Sequence, residues 1–208
     1  MTTVMRIEGD ARVTGNLQVD GTMPTYARSE LAQDAAAVFP VPLVNLRTWD
    51  ALGTNLPGTP ANDDLGLVGG TFASATPKIS TGDLKNTTTT RYGRFQFQIP
   101  AEYDAGETLT LRLNAGMETT VASTSATLDV ECYKSDRAAG LGSDLCATAA
   151  QAMNSLVFAN KDFQITPTGL SAGDVLDVRL TVTVTDSATA TAVTASIGAI
   201  EFLVDIKG

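Results

Sequence analysis

Histidine is absent from this chain of 208 residues, and tryptophan occurs once, at Trp49. Without an imidazole, every Ser-His or Cys-His nucleophile pair is excluded, and a zinc hydrolase loses its usual ligands. Aromatic residues make up only 6% of the chain, which leaves few platforms for a sugar ring. The two cysteines, Cys132 and Cys146, are too few to close a tetrahedral thiolate shell. Buried thiols are expected for them, with a disulfide as the alternative, because no charged-then-apolar leader is recognisable and the reducing cytosol is the expected folding compartment. No apolar run approaches the ~20 residues of a membrane span, so no membrane partner is expected. Basic residues are scattered and outnumbered, 14 against 23 acidic, for a net charge of −9. That balance argues against gripping a phosphate backbone, and no nucleic-acid partner is expected.

What the chain has in quantity is threonine, thirty residues of it, a β-branched residue suited to strands with one wet face. From Phe39 onward the hydrophobic period is close to two, with turn residues between segments. In "RYGRFQFQIP" Phe95, Phe97 and Ile99 share one face; in "ETLTLRL" Leu109, Leu111 and Leu113 do; in "ATLDVECY" Leu128, Val130 and Cys132 do. "VLDVRLTVTVT" carries an inward stripe that includes Val178 and Leu180, and "AIEFLVDI" places Phe202 inward. Phe95, Phe97, Leu109, Leu111, Val178, Leu180 and Phe202 are the expected core. One-sided strands belong to antiparallel sheets. Long, uneven Gly- and Pro-rich connections between them predict an all-β antiparallel β-sandwich, a jelly roll, preceded by a short N-terminal β-arm.

Three regions follow: the arm, 1–24; a linker over 25–38, "TYARSELAQDAAAV", composed for a short helix; and the sandwich, 39–208. Within the sandwich one pattern occurs twice. "FQIPAEYDAGETLTLRL" from Phe97 and "FQITPTGLSAGDVLDVRL" from Phe163 both run Phe-Gln-Ile, loop, Ala-Gly-acid and alternating strand, with spacing that differs by one residue. Two interlocked Greek keys offer two equivalent places for such a unit.

For catalysis only paired carboxylates remain, since glycoside hydrolysis needs two. Asp63 with Asp64 and Glu102 with Asp104 read as solvated loop carboxylates. "ANDDLG" lacks the spaced acidic ladder of a calcium loop, and no Gly-rich phosphate loop joins a strand to a helix. Trp49 ends the alternating "VPLVNLRTW" and reads as a core or sheet-packing residue. No catalytic residue, cofactor or metal is therefore expected, and the chain is read as a non-enzyme.

The arm is the remaining question. A lone ribbon is marginal in water, so Ile7, Val13, Leu17 and Val19 must pair either with their own sandwich or with another chain. "VTGNLQVDGT" resembles the Gly-punctuated repeats at the junctions of trimeric phage fibres and virion appendages, and the 39–208 portion looks like a phage virion jelly roll. The resemblance implies a homotrimeric capsid decoration (cement) protein whose arm residues Ile7, Val13, Leu17 and Val19 form the assembly contact. Its partners would then be further copies of itself and the major capsid protein, and its place the capsid surface of the virion after assembly in the host cytoplasm. The other reading is a receptor- or glycan-binding fibre-head module, with a patch around Trp49, Tyr103 or Tyr133.

Overall fold

A computed structural model describes residues 35–119, 125–135, 142–187 and 191–206. Ile7, Val13, Leu17 and Val19 of the arm lie outside the described residues, as does most of the linker. Ten strands occur among the described residues: β1 (Ala35–Pro40), β2 (Gly66–Val68), β3 (Lys78–Ser80), β4 (Thr87–Gln98), β5 (Leu109–Thr119), β6 (Ser125–Ser135), β7 (Gln151–Ala152), β8 (Ala159–Ile165), β9 (Val175–Asp186) and β10 (Thr194–Ile206).

They form two sheets, here A and B. Sheet A runs β2-β3-β10-β5-β8, with β1 also on β10, and sheet B runs β4-β9-β6-β7. Every ladder between these strands is antiparallel. The pairing is nested: β3 with β10, β4 with β9, β5 with β8 and β6 with β7. The chain from β3 to β10 is therefore one long hairpin rolled up so that successive pairs alternate between sheets. This is the jelly-roll arrangement of two Greek keys, and the protein is an antiparallel β-sandwich.

Period-two alternation puts one face of each sheet inward. Along β9, Leu176, Val178, Leu180, Val182 and Val184 are buried while Arg179, Thr181, Thr183 and Thr185 between them are half-exposed. Phe95, Leu109, Leu111, Val178, Leu180 and Phe202 are fully buried, and Phe97 is partly buried against them. The two sheets meet through rings: Phe97 of sheet B stacks on Phe202 of sheet A at 4.0 Å, and Phe95 meets Phe202 edge-on at 6.4 Å. Cys132 is buried on the inner side of β6, and both cysteines are free thiols. Burial raises the pKa of each.

The helix expected over 25–38 does not extend to its end. Ala35–Val38 belong to β1, paired with β10 in the register Ala37↔Val204 and Phe39↔Phe202. Ten residues of that stretch, 25–34, lie outside the described residues. Alanine favours helix locally, but the C-terminal half of β10 would otherwise expose a row of backbone donors and acceptors. Pairing with that edge outweighs the local preference. β3 occupies the same edge nearer the start of β10, at Ser196 and Ile197.

The repeated sequence pattern is a repeated structure. Its first copy runs from β4 into β5 and its second from β8 into β9, the two crossings between sheets at one end of the sandwich. Both loops close with the same turns: Tyr103 N–H donates to Pro100 and Glu107 N–H to Asp104, as Leu170 N–H does to Pro167 and Asp174 N–H to Ser171. Tyr103 and Leu170 are buried at matching places. Gly106 and Gly173 both hold positive φ, 103° and 85°, which explains the shared Ala-Gly-acid. The loops are cross-linked by Gly173 N–H donating to Ile99 and Ile99 N–H to Asp174.

Candidate functional site

The outer faces of the two sheets differ. Sheet A carries cross-strand pairs, Arg112 with Asp162 and Asn114 with Asn160. Sheet B also carries paired charges and sets rings beside them. Its register places side chains in rows across β4, β9 and β6: Gln96–Asp177–Tyr133, then Arg94–Arg179–Glu131, then Tyr92–Thr181–Asp129.

The 46–65 connection brings one more residue to these rows. It lies along the otherwise free edge of β4, where Arg47 and Arg94 exchange backbone hydrogen bonds of 2.7 and 3.0 Å. Further along, Tyr92 N–H donates to Asp63 and Leu65 N–H to Tyr92. Leu46, Leu56 and Leu65 are buried and anchor this loop to the core. Pinned at both ends, the loop lays Trp49 against sheet B: its ring centroid is 5.1 Å from that of Tyr92, and its indole N–H donates to Asp63 at 2.9 Å.

Arg179 lies over both rings, its guanidinium carbon 5.6 Å from the Trp49 centroid and 5.2 Å from that of Tyr92, a cation–π contact. The same guanidinium donates through Nε to Glu131 at 2.5 Å and forms an ion pair with it. Arg94 grips Asp177 with two prongs, through Nε at 2.7 Å and through Nη2, and donates Nη1 to the Trp49 carbonyl at 3.4 Å. The hydrogen bond to Asp177 raises the Arg94 pKa further, against the effect of burial. Tyr133 completes the rim, its hydroxyl donating to Glu131 at 3.3 Å. Burial, then the Glu131 charge, raises the Tyr133 pKa. Trp49, Arg94, Glu131, Tyr133, Asp177 and Arg179 enclose an open cavity of about 300 Å³, at the lower end of ligand-site sizes.

Of the residues expected around a ligand patch, Trp49 and Tyr133 are thus brought together. Tyr103 is not: it is buried in the β4–β5 crossing, its hydroxyl donating to the Glu107 carbonyl at 2.5 Å. Trp49 was expected to pack on a sheet, and it does so on the outer face instead of in the core. Its side-chain N–H needs a polar partner, which Asp63 supplies at the surface. Asp63 is occupied in that role, while Asp64 is half-buried and exposed Glu102 lies in the other loop. Among the described residues no cluster of three or more acidic or sulfur ligands suits a metal ion.

Sequence reading missed Tyr92, Arg94, Glu131, Asp177 and Arg179 as a group. Their outward positions were legible from alternation, but their adjacency requires the β4-β9-β6 order, which no local signal carries.

No protein-family profile matches the sequence, and no curated protein does. Among solved structures, the CBM22-1 xylan-binding domain of Paenibacillus barcinonensis Xyn10C is 12% identical, with a TM-score of 0.38 over 68% of this chain and 81% of that one. TmCBM61 in complex with β-1,4-galactotriose is 10% identical, with a TM-score of 0.36 over 82% and 88%. An apo cyclase from Fischerella sp. is 11% identical, with a TM-score of 0.38 over 84% and 89%. With likenesses this distant, fold and function rest on the strand register and the side chains described above.

Proposed function

We propose that this protein is a non-catalytic glycan-binding module whose site is the outer face of sheet B around Trp49. The observation that carries this reading is the joining of two kinds of surface in one cavity. Trp49 and Tyr133 supply apolar ring surface, and two arginine–carboxylate pairs supply fixed hydrogen-bonding groups beside them. A sugar has apolar C–H faces rimmed by hydroxyls, so it matches both kinds at once. The ion pairs also hold one another in place, which reduces the side-chain entropy lost on binding. Glu131 and Asp177 are each capped by an arginine, an arrangement for holding a ligand and not for passing a proton.

Screening the full chain on a glycan array, with hydrolysis followed in parallel, tests this reading. The expected result is binding to a restricted set of glycans without release of reducing ends, lost in Tyr133→Ala at unchanged Tm. Absence of glycan binding, or equal binding by that variant, would overturn it. The role of a capsid decoration protein rested on the arm motif and on the likeness of 39–208 to a phage virion jelly roll; the arm residues lie outside the described ones, and neither the sandwich nor the comparisons support a phage or capsid role.

A further inference from the structure

The charges of the site are arranged in closed pairs. Two arginines and two carboxylates line the cavity, and each guanidinium already holds its own carboxylate: Arg94 with Asp177, and Arg179 with Glu131. The Arg179 guanidinium also lies over the rings of Trp49 and Tyr92. Two further acidic groups adjoin the site, Asp63 on the Trp49 indole and Asp129 in the next row of β6. An anionic ligand would compete with a carboxylate for each arginine and sit among the other acidic groups, whereas an uncharged polyol shares hydrogen bonds without breaking a pair.

A second observation concerns what lies beyond the cavity. Further along the same face the rows lose their charges: Thr90–Thr183–Thr127 is followed by Thr88–Thr185–Ser125. These hydroxyls are linked across strands, Thr90 Oγ1 to Thr183 Oγ1 at 3.0 Å and Thr88 Oγ1 to Thr185 Oγ1 at 3.3 Å. A hydroxyl both donates and accepts, so each row offers an uncharged chain partners of its own kind. From Asp177 to Thr185 the track is eight residues of strand, roughly 27 Å at strand rise.

Resting on the glycan reading, we infer that the ligand is an uncharged oligosaccharide seated at Trp49 and Tyr133 and extending along β9 over the threonine rows. Both features point the same way: a cavity whose lining charges cancel and, past the Tyr92–Thr181–Asp129 row, a hydroxyl track on the same face.

The test is calorimetric titration of the full chain with neutral 1,4-linked glucose, mannose and galactose oligosaccharides of two to six units. The same oligosaccharides oxidised at C6 to uronates are the counterparts. The expected result is that at least one neutral series binds, tightens with length, and loses at least about tenfold in affinity on oxidation. Thr183→Val, which removes a hydroxyl but keeps the shape, is expected to weaken the six-unit ligand several-fold and leave the two-unit ligand unchanged. Uronates that bind as well as the neutral forms, affinity flat with length, or an indifferent Thr183→Val would overturn the inference while leaving the glycan reading intact. Failure of every neutral and oxidised oligosaccharide together would overturn the inference as well, and the glycan array alone then decides the glycan reading.

Discussion

Two aspartates show how one residue type acts with opposite sign in this fold. Asp64 is half-buried near the end of the loop that carries Trp49, and burial, followed by the charges of Asp63 and Asp50, raises its pKa. A carboxyl whose folded pKa is raised opposes folding once ionised, so its contribution worsens as pH rises through that value. Asp64→Asn is therefore expected to raise Tm at pH 7, a gain that vanishes below about pH 4, where the wild-type carboxyl is protonated in both states. Asp162 on sheet A is the reverse case. Its hydrogen bonds from Arg112 lower its pKa, so the pair stabilises above about pH 4 and the contribution is lost as pH falls through the folded value. Asp162→Asn is expected to lower Tm at pH 7 by the equivalent of about 0.2–1 kcal/mol, because the pair is substantially exposed, and to leave it unchanged in acid. Tm measured against pH for both variants checks the two signs together. At this scale the sequence is readable for side-chain direction and silent on partners: Arg94 is visibly outward in "RYGRFQFQ", but nothing near it announces Asp177, 83 positions away.

The elements illustrate where local pattern suffices and where it fails. Strands β4, β5, β6, β9 and β10 are long, and each contains an alternating stretch legible from sequence, although the first four residues of β10 are all buried. β1 and the three-residue strands β2 and β3 are not, because they exist to cover edges and their composition is set by what they cover. The repeated loops are the opposite case: a seventeen-residue pattern was legible because the same turn must be built twice, and Gly106 and Gly173 are its most constrained positions. Neither glycine has a neighbour that an added Cβ would strike, so alanine there tests backbone conformation alone. Gly106→Ala and Gly173→Ala are each expected to cost about 1–2 kcal/mol in denaturant unfolding, the strain of a left-handed L-residue. Similar values for both would fit equivalent turns; a large loss at one and none at the other would contradict that equivalence. Between the sheets, Phe202→Ala removes the ring stacked on Phe97 and is expected to cost about 3–5 kcal/mol.

For the whole molecule, the rolled-up hairpin explains why a chain poor in rings can still build a site. The nested pairing places β4, β9 and β6 side by side and turns their threonines and charged residues to one face. The edge of β4 then holds the loop that delivers the single tryptophan. The fold class was legible because alternation and turn chemistry agree along the chain. The site was legible only as scattered candidates, Trp49 and Tyr133 among them, since it depends on long-range strand order. That Trp49 is the only tryptophan in the chain makes the central claim directly measurable. Its indole N–H gives one assignable resonance and its ring one fluorescence signal, both followed while the full chain is titrated with a glycan that it binds on the array. The account predicts that both signals shift and saturate with the same midpoint as binding, and that Trp49→Ala lowers affinity by roughly 25-fold or more, as expected of a central aromatic anchor. Glycan binding that leaves the Trp49 signals unmoved would place the site elsewhere and contradict the account.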